Sequence, residues 1–191
     1  MSHTEEYKML NKQQYNATDP NLLAKLNRMK DLLWEYNQLR PSLKEERKCL
    51  LQKMLGHMGK NILIIQPFYC DYGFNIEIGE DFFANFGFTV LDQAKVRIGD
   101  HAFIGPNVSI YTACHPLDPY ERNKNIEWGE PVTIGDNVWI GGSVTICPGV
   151  TIGNNVTIGA GSVVVKNIPD NCVAVGNPAR VIKKTTDKNI F

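Results

Sequence analysis

Between Pro131 and Ile168 an aliphatic side chain returns at every sixth position: Ile134, Ile140, Ile146, Ile152, Ile158 and Val164. A small or β-branched residue stands four places after each of the first five, at Val138, Val144, Val150, Val156 and Ser162. Glycine directly follows the leading aliphatic at 135, 141, 153 and 159. A helix repeats every 3.6 residues and a strand every two, so neither has this period. A short flat strand, a turn and a repetition do. Self-similarity of this kind identifies a solenoid, in which each unit buries its apolar side only against its neighbours.

Three six-residue edges close one triangular coil. The leading aliphatic of each edge points to the axis, and coils stack at the strand spacing of about 4.8 Å. Gly135, Asp136-Asn137, Gly153 and Asn154-Asn155 are expected at corners that need positive φ. The pattern continues upstream through Ile98, Ile104 and Ile110, with Gly99 and Gly105 in phase. Earlier still come Ile78, Ala84 and Val90, with Gly79 in phase. Two residues are inserted between these phases, near Ala94-Lys95. The expected organisation is a mainly β chain: a helical segment over 1–60, a parallel β-helix over 61–182, and a tail at 183–191. A non-repeating loop interrupts the helix at about 112–131.

The N-terminal segment reads as two helices. Leu22, Leu23, Leu26, Met29, Leu32, Leu33, Tyr36 and Leu39 form one apolar stripe. Asp19-Pro20 reads as N-cap and N1 proline, and Arg40-Pro41 ends the first helix. Ser42-Leu43-Lys44-Glu45 has the form of a capping box opening the second, which Gly56 closes. Such a pair is expected to cover the first coil, whose edges would otherwise stand open.

The formal net charge is zero and no basic run exists to meet phosphates, which argues against nucleic acid as a partner. No apolar run reaches membrane-spanning length, and Met1-Ser2-His3-Thr4-Glu5-Glu6 does not read as a signal peptide. Five cysteines, at 49, 70, 114, 147 and 172, are odd in number and lack metal-type spacing. They read as free packing thiols of a reducing cytoplasm.

Several segments give the chain a family resemblance. They are Ile134-Gly135-Asp136-Asn137-Val138-Trp139-Ile140-Gly141-Gly142, Pro148-Gly149-Val150-Thr151-Ile152-Gly153 and Thr112-Ala113-Cys114-His115-Pro116. Phe83-Ala84-Asn85-Phe86 and Gly176-Asn177-Pro178-Ala179-Arg180 complete them. The chain resembles the hexapeptide-repeat acyltransferases with a left-handed β-helix, and within them the maltose and galactoside O-acetyltransferases. The left hand is implied by the resemblance alone, since general connection rules favour the right.

The resemblance implies transfer of an acetyl group from acetyl-CoA to a sugar hydroxyl, without a metal and without an acetyl-enzyme. That chemistry needs a base, donors for an oxyanion and a pocket for the coenzyme arm. His115, on the long interruption, is the candidate base, its ordinary pKa lying near working pH. A turn-capping loop histidine is the other reading. Cys114 beside it is then not a nucleophile. Asn85 reads either as a left-handed turn asparagine or, by resemblance, as a contact to the acceptor and transition state. The N–H of Gly142 is the oxyanion donor by analogy.

For the coenzyme, Lys166, Arg180 and Lys183 correspond to phosphate ligands. For Lys183 a solvated basic end explains the residue equally. Trp139, Ala160 and Val165 would line the pantetheine groove, and galactoside enzymes usually carry Thr where Val165 stands. Trp139 sits at an outward position between inward Val138 and Ile140, exposed for a coenzyme or for another subunit. Asp71 and Gln93 stand where the galactoside type has Ser and Asp, which leans the acceptor toward maltose or glucose. Asp19 serves equally as a helix cap or an acceptor ligand. Similar proteins are homotrimers with active sites between subunits, so His115 and Trp139 are expected to act across an interface. Three other readings stand beside this one: a non-sugar acceptor, a non-catalytic binding solenoid, and a zinc hydratase. The last needs three convergent histidines, and the solenoid offers only His101 and His115.

Overall fold

The computed structural model describes residues 3–186, and in it the six-residue period builds a three-sided parallel β-helix. The first face stacks His57–Met58, Ile76–Ile78, Val96–Ile98, Val132–Ile134 and Thr151–Ile152. The second stacks Leu63–Ile64, Phe83–Ala84, Phe103–Ile104, Trp139–Ile140, Thr157–Ile158 and Cys172–Val175. The third stacks Phe68–Cys70, Phe88–Leu91, Ser109–Tyr111, Thr145–Ile146 and Val163–Val164. The leading aliphatics fill the axis as expected, Ile134, Ile140, Ile146, Ile152, Ile158 and Val164 all being buried. Burying each such side chain is worth about 1.5–3 kcal/mol, which lets two-residue strands persist. The coil stack begins at His57, a few residues before the expected 61.

The early coils are longer than the later ones. Ile78 pairs with Ile98 and Phe68 with Phe88, whereas Trp139 pairs with Thr157 and Thr145 with Val163. The two additional residues fall each time at the corner between the third and first faces, at 71–75 and at 92–95. At the next coil the same corner expands into 112–131.

That expansion is not a plain loop. Ala113–Cys114 pairs antiparallel with Ile126–Gly129, and the latter also pairs with Tyr15–Asn16 from the N-terminal segment. A one-turn helix, Pro119–Arg122, is capped by Asp118.

The corner glycines behave differently from expectation. Gly135 and Gly153 do not adopt positive φ; Asn137 and Asn155 do, both at 56°. These asparagines form a ladder, Asn137 Nδ2 donating to Asn155 Oδ1 and Asn155 Nδ2 to Asn171 Oδ1. Gly135 is needed for stacking instead: a Cβ there would lie 2.8 Å from the backbone carbon of Gly153.

Three helices precede the coils: α1 (Glu5–Leu10), α2 (Pro20–Gln38) and α3 (Lys44–Met54). Sequence reading missed α1, which Thr4 caps by accepting the Tyr7 N–H. α2 and α3 cover the first coil, with Met29, Leu33, Tyr36, Leu50, Leu51 and Met54 joining the core of Ile64 and Phe68. Leu23 leaves the expected stripe and is exposed. The capping box does not form. Leu43, not Ser42, is the N-cap of α3, with no side-chain capping bond, and Leu55 closes the helix. A tertiary anchor sets the helix instead: buried Arg47 donates to Ile64 O at 2.6 Å and to Pro41 O.

At the other end Arg180–Lys184 turns back antiparallel on Cys172–Val175. The expected tail from 183 therefore starts inside a strand, and its residues 187–191 lie outside those described. Among the described residues no helix is long and apolar enough to cross a membrane.

Candidate active site

The outward positions of the second face form one column. Phe83, Phe103, Trp139 and Thr157 each stand one residue before an axis-filling side chain, and consecutive members are paired across the coils. With Pro106, Ile182 and the corner glycines they line a groove of about 860 Å³. Trp139 and Phe103 leave about half their surface in solvent. An apolar wall of this size with a few polar groups is the usual form of a small-molecule site. Those groups lie at the corner toward the third face, where Asn85 and the backbone of Gly141-Gly142 border the groove. The Gly142 N–H has no hydrogen-bond partner among the described residues. Asn85 is outside the left-handed region, and its Oδ1 accepts from the Phe86 N–H at 2.8 Å. The turn-asparagine reading is thereby corrected: Gly87, at φ 76°, makes that turn.

A second, polar cluster occupies the lengthened corner between the third and first faces. Gln93 Nε2 donates to Asp71 Oδ2 at 2.6 Å, and the buried Gln93 Oε1 has no partner. Burial pushes the Asp71 carboxyl up, against the Gln93 hydrogen bond. Behind it, fully buried Asp92 accepts the N–H groups of Asp71 and Tyr72 on Oδ1, and desolvation raises its pKa to about 7. His115 leaves the strand Ala113–Cys114 at this corner with half its side chain exposed. Its Nε2 lies 3.7 Å from Glu127 Oε2. Glu127 is buried, and Oε1 accepts from the Tyr15 hydroxyl. Burial, aided by Glu130, pushes the Cys114 thiol up, which disfavours a thiolate.

The structure thus gathers the predicted residues into separate groups. Asn85, Trp139, Gly142 and Ala160 share the groove. Asp71, Gln93 and His115 share the lengthened corner, and Asp19 is near enough to influence Tyr72 there. Asp19 caps α2 through Oδ1, to Asn21 and Leu22. Val165 and Lys166 follow the last third-face strand, both exposed. Arg180 and Lys183 lie on the strand closing the second face, Arg180 Nη1 donating to Ala179 O. His115 does not line the groove of its own chain. Sequence reading missed Phe83, Phe103 and Thr157, although the outward column could have revealed them. It also missed Tyr15 and Glu127, which have no local signal. Among the described residues no three metal-ligating side chains converge.

Comparison with known proteins gives two family matches: the maltose acetyltransferase hexapeptide capping motif over residues 8–59, and the bacterial transferase hexapeptide (six repeats) over 131–166. The structure is similar to a maltose O-acetyltransferase from Clostridium difficile 630, with 52% identity, a TM-score of 0.94, and 96% of this chain and 98% of that one covered. It is also similar to a galactoside acetyltransferase in complex with coenzyme A, with 41% identity, a TM-score of 0.93, and 97% and 93% covered. The galactoside O-acetyltransferase of Escherichia coli strain K12 is 47% identical over 163 residues, which are 85% of this chain and 80% of that protein.

Proposed function

The chain belongs to the maltose and galactoside O-acetyltransferase family of acetyltransferases, and from that premise we propose that it moves the acetyl group of acetyl-CoA to a hydroxyl of a maltose- or glucose-like sugar. One observation carries the reading: an apolar groove walled by Trp139 ends at an unpaired Gly142 N–H beside the Asn85 side chain. A pantetheine arm laid along the groove brings its thioester to that donor. A coenzyme A complex of a relative with a TM-score of 0.93 supports the same occupant.

In the reaction the acceptor hydroxyl oxygen attacks the thioester carbonyl carbon while an imidazole nitrogen of His115 takes its proton. The oxyanion of the tetrahedral intermediate is held by Gly142 N–H and by Asn85. Collapse breaks the C–S bond, and the proton passes from His115 to the leaving thiolate. Lys166, Arg180 and Lys183 are the phosphate ligands of the coenzyme, and Val165 packs on its arm. No metal takes part. The acceptor lies against Asp71, Gln93 and Asp19, whose carboxylates accept hydrogen bonds from sugar hydroxyls. Asp19 can cap α2 with one oxygen and contact sugar with the other.

His115 and the groove lie on different edges of one chain, so the site is completed between subunits of a homotrimer. On the His115 loop, Leu117 is 96% and Tyr120 80% exposed, large apolar surfaces that a neighbouring chain would cover. A cytoplasmic location is part of this reading, and the five free cysteines support it.

The test is release of free thiol from acetyl-CoA against a panel of sugars, run beside His115→Ala. Release with maltose or glucose is expected, with a loss of at least about 10²-fold in the variant, the scale of general-base removal. Equal rates in the two proteins would refute the mechanism.

A further inference from the structure

Glu127 is one of few buried acidic side chains, and nothing in the repeat requires it. Its two oxygens have different surroundings. Oε1 accepts from the hydroxyl of Tyr15, a residue only 1% exposed. Oε2 faces the His115 ring, 3.7 Å from Nε2. The backbone fixes both partners. Tyr15 and Glu127 are directly opposed in the antiparallel pair of Tyr15–Asn16 with Ile126–Gly129, so their side chains share a face. Cys114 opposes Trp128 on the other side of the same strand, which sets His115 one residue beyond the pairing. Burying a carboxylate is costly unless it is paired, and the two groups that pair this one are Tyr15 and His115.

We propose that Glu127 is a positioning residue for His115, itself anchored by Tyr15 of the N-terminal segment. The inference rests on the reading of His115 as the base. The carboxylate keeps a proton on the ring nitrogen that faces it and holds the ring plane. The opposite nitrogen then presents its lone pair to the acceptor hydroxyl. As that nitrogen takes the hydroxyl proton, the ring becomes cationic and Glu127 stabilises it at close range. No proton needs to move onto Glu127. The three-stranded sheet thus gives the helical segment a task beyond covering the first coil: it sets the orientation of an imidazole on a chain segment about a hundred residues away.

The experiment compares Glu127→Gln, Tyr15→Phe and His115→Ala in the full chain. Each is followed by thiol release and by ¹⁵N spectra of ring-labelled histidine, with the His115 signals assigned by their loss in His115→Ala. In Glu127→Gln, kcat is expected to fall at least about tenfold while KM for acetyl-CoA stays unchanged, because Glu127 does not line the groove. The His115 signals should shift from one protonated nitrogen toward a tautomer mixture. Tyr15→Phe should produce the same changes in smaller degree. A normal kcat and an unchanged tautomer in Glu127→Gln, with His115→Ala inactive, would overturn this inference and leave the base reading intact. An active His115→Ala would overturn the base reading itself. If Glu127→Gln loses its cooperative unfolding transition, Tyr15→Phe decides alone, since it keeps both carboxylate and ring.

Discussion

Replacing Asp92 by Asn should change the pH dependence of stability in a direction and by an amount the structure sets. Asp92 is completely buried behind the polar corner. Its Oδ1 accepts two backbone N–H groups, at 3.1 and 2.8 Å, and its Oδ2 is buried without a partner. Desolvation, reinforced by the charge of Asp71, raises its pKa from 3.8 to about 7. The folded-state pKa therefore lies above the unfolded one. Between about pH 4 and 7 the folded chain keeps a proton that the unfolded chain has released, so stability falls as pH rises through that window. The full penalty is present above it. Three pH units at 1.36 kcal/mol each give about 4 kcal/mol. Asparagine keeps the Oδ1 acceptor and cannot ionise. Its added N–H₂ lacks a partner, at a cost of about 1–3 kcal/mol that does not depend on pH. Urea unfolding of both proteins at fixed protomer concentration, from pH 4 to 8, should show wild type losing about 4 kcal/mol relative to the variant. Asp71 and Glu127, whose carboxyls burial also raises, add in the same direction in both proteins. Glu5 and Glu77, held low first by hydrogen bonds from lysines, add the opposite slope below their ordinary range, again in both. Parallel stability curves would refute the assignment of a protonated buried carboxyl.

Two further outcomes test the groove and its corner. Trp139→Ala removes an indole that leaves half its surface in solvent; coenzyme binding should weaken by about 1–2 kcal/mol, near tenfold in KM for acetyl-CoA, without a change in melting temperature. A KM within twofold of wild type would remove Trp139 from the site. Gly105→Ala would place a Cβ 2.5 Å from Gly142 N and 2.8 Å from the Gly141 carbon, both backbone atoms that cannot rotate away. It should cost about 1–3 kcal/mol in urea unfolding and lower kcat by displacing the Gly142 N–H. A variant as stable and active as wild type would show that the coils are not in such close contact there.

The axis of the solenoid was readable because its physics is periodic. Each leading aliphatic meets its own kind one coil away, so one pattern states both the local turn and the long-range contact. Trp139 was readable for the same reason, as an outward position flanked by inward ones. The capping box at Ser42 was misread because a local motif competes with tertiary contacts. The buried Arg47 guanidinium bonds the Ile64 carbonyl, and that anchor fixes where α3 begins. Gly135 was assigned the wrong physical duty. Its neighbour Asn137 takes the left-handed turn while the glycine admits the next coil. Glu127 was invisible because its partner Tyr15 is 112 residues away on a strand of two residues, with no periodicity to announce either.

The groups of the proposed site all stand off the axis, and the stacking explains why. Inside a coil the axis admits only side chains that match the ones above and below, and the Gly135 column admits none larger than hydrogen. A carboxylate or imidazole placed there would be buried unpaired. Functional groups are left with two kinds of place. One is the outward column of a flat face, where Phe103 and Trp139 form a wall. The other is a corner long enough to leave the stack. Every early coil lengthens the same corner, so Asp71 and Gln93 come into register with the segment bearing His115 and Glu127 without any repeat specifying them. The wall does not include His115 of its own chain, and in the proposed trimer the two meet across subunits. This geometry leads to a specific mixing result for the proposed trimer. Assayed with acetyl-CoA well below its KM, where Trp139→Ala is about tenfold slower, trimers reassembled from equal amounts of His115→Ala and Trp139→Ala chains should recover sites that pair the intact half of each, with activity above either parent. Activity no higher than the mean of the two parents would place the wall and the imidazole in the same chain's site.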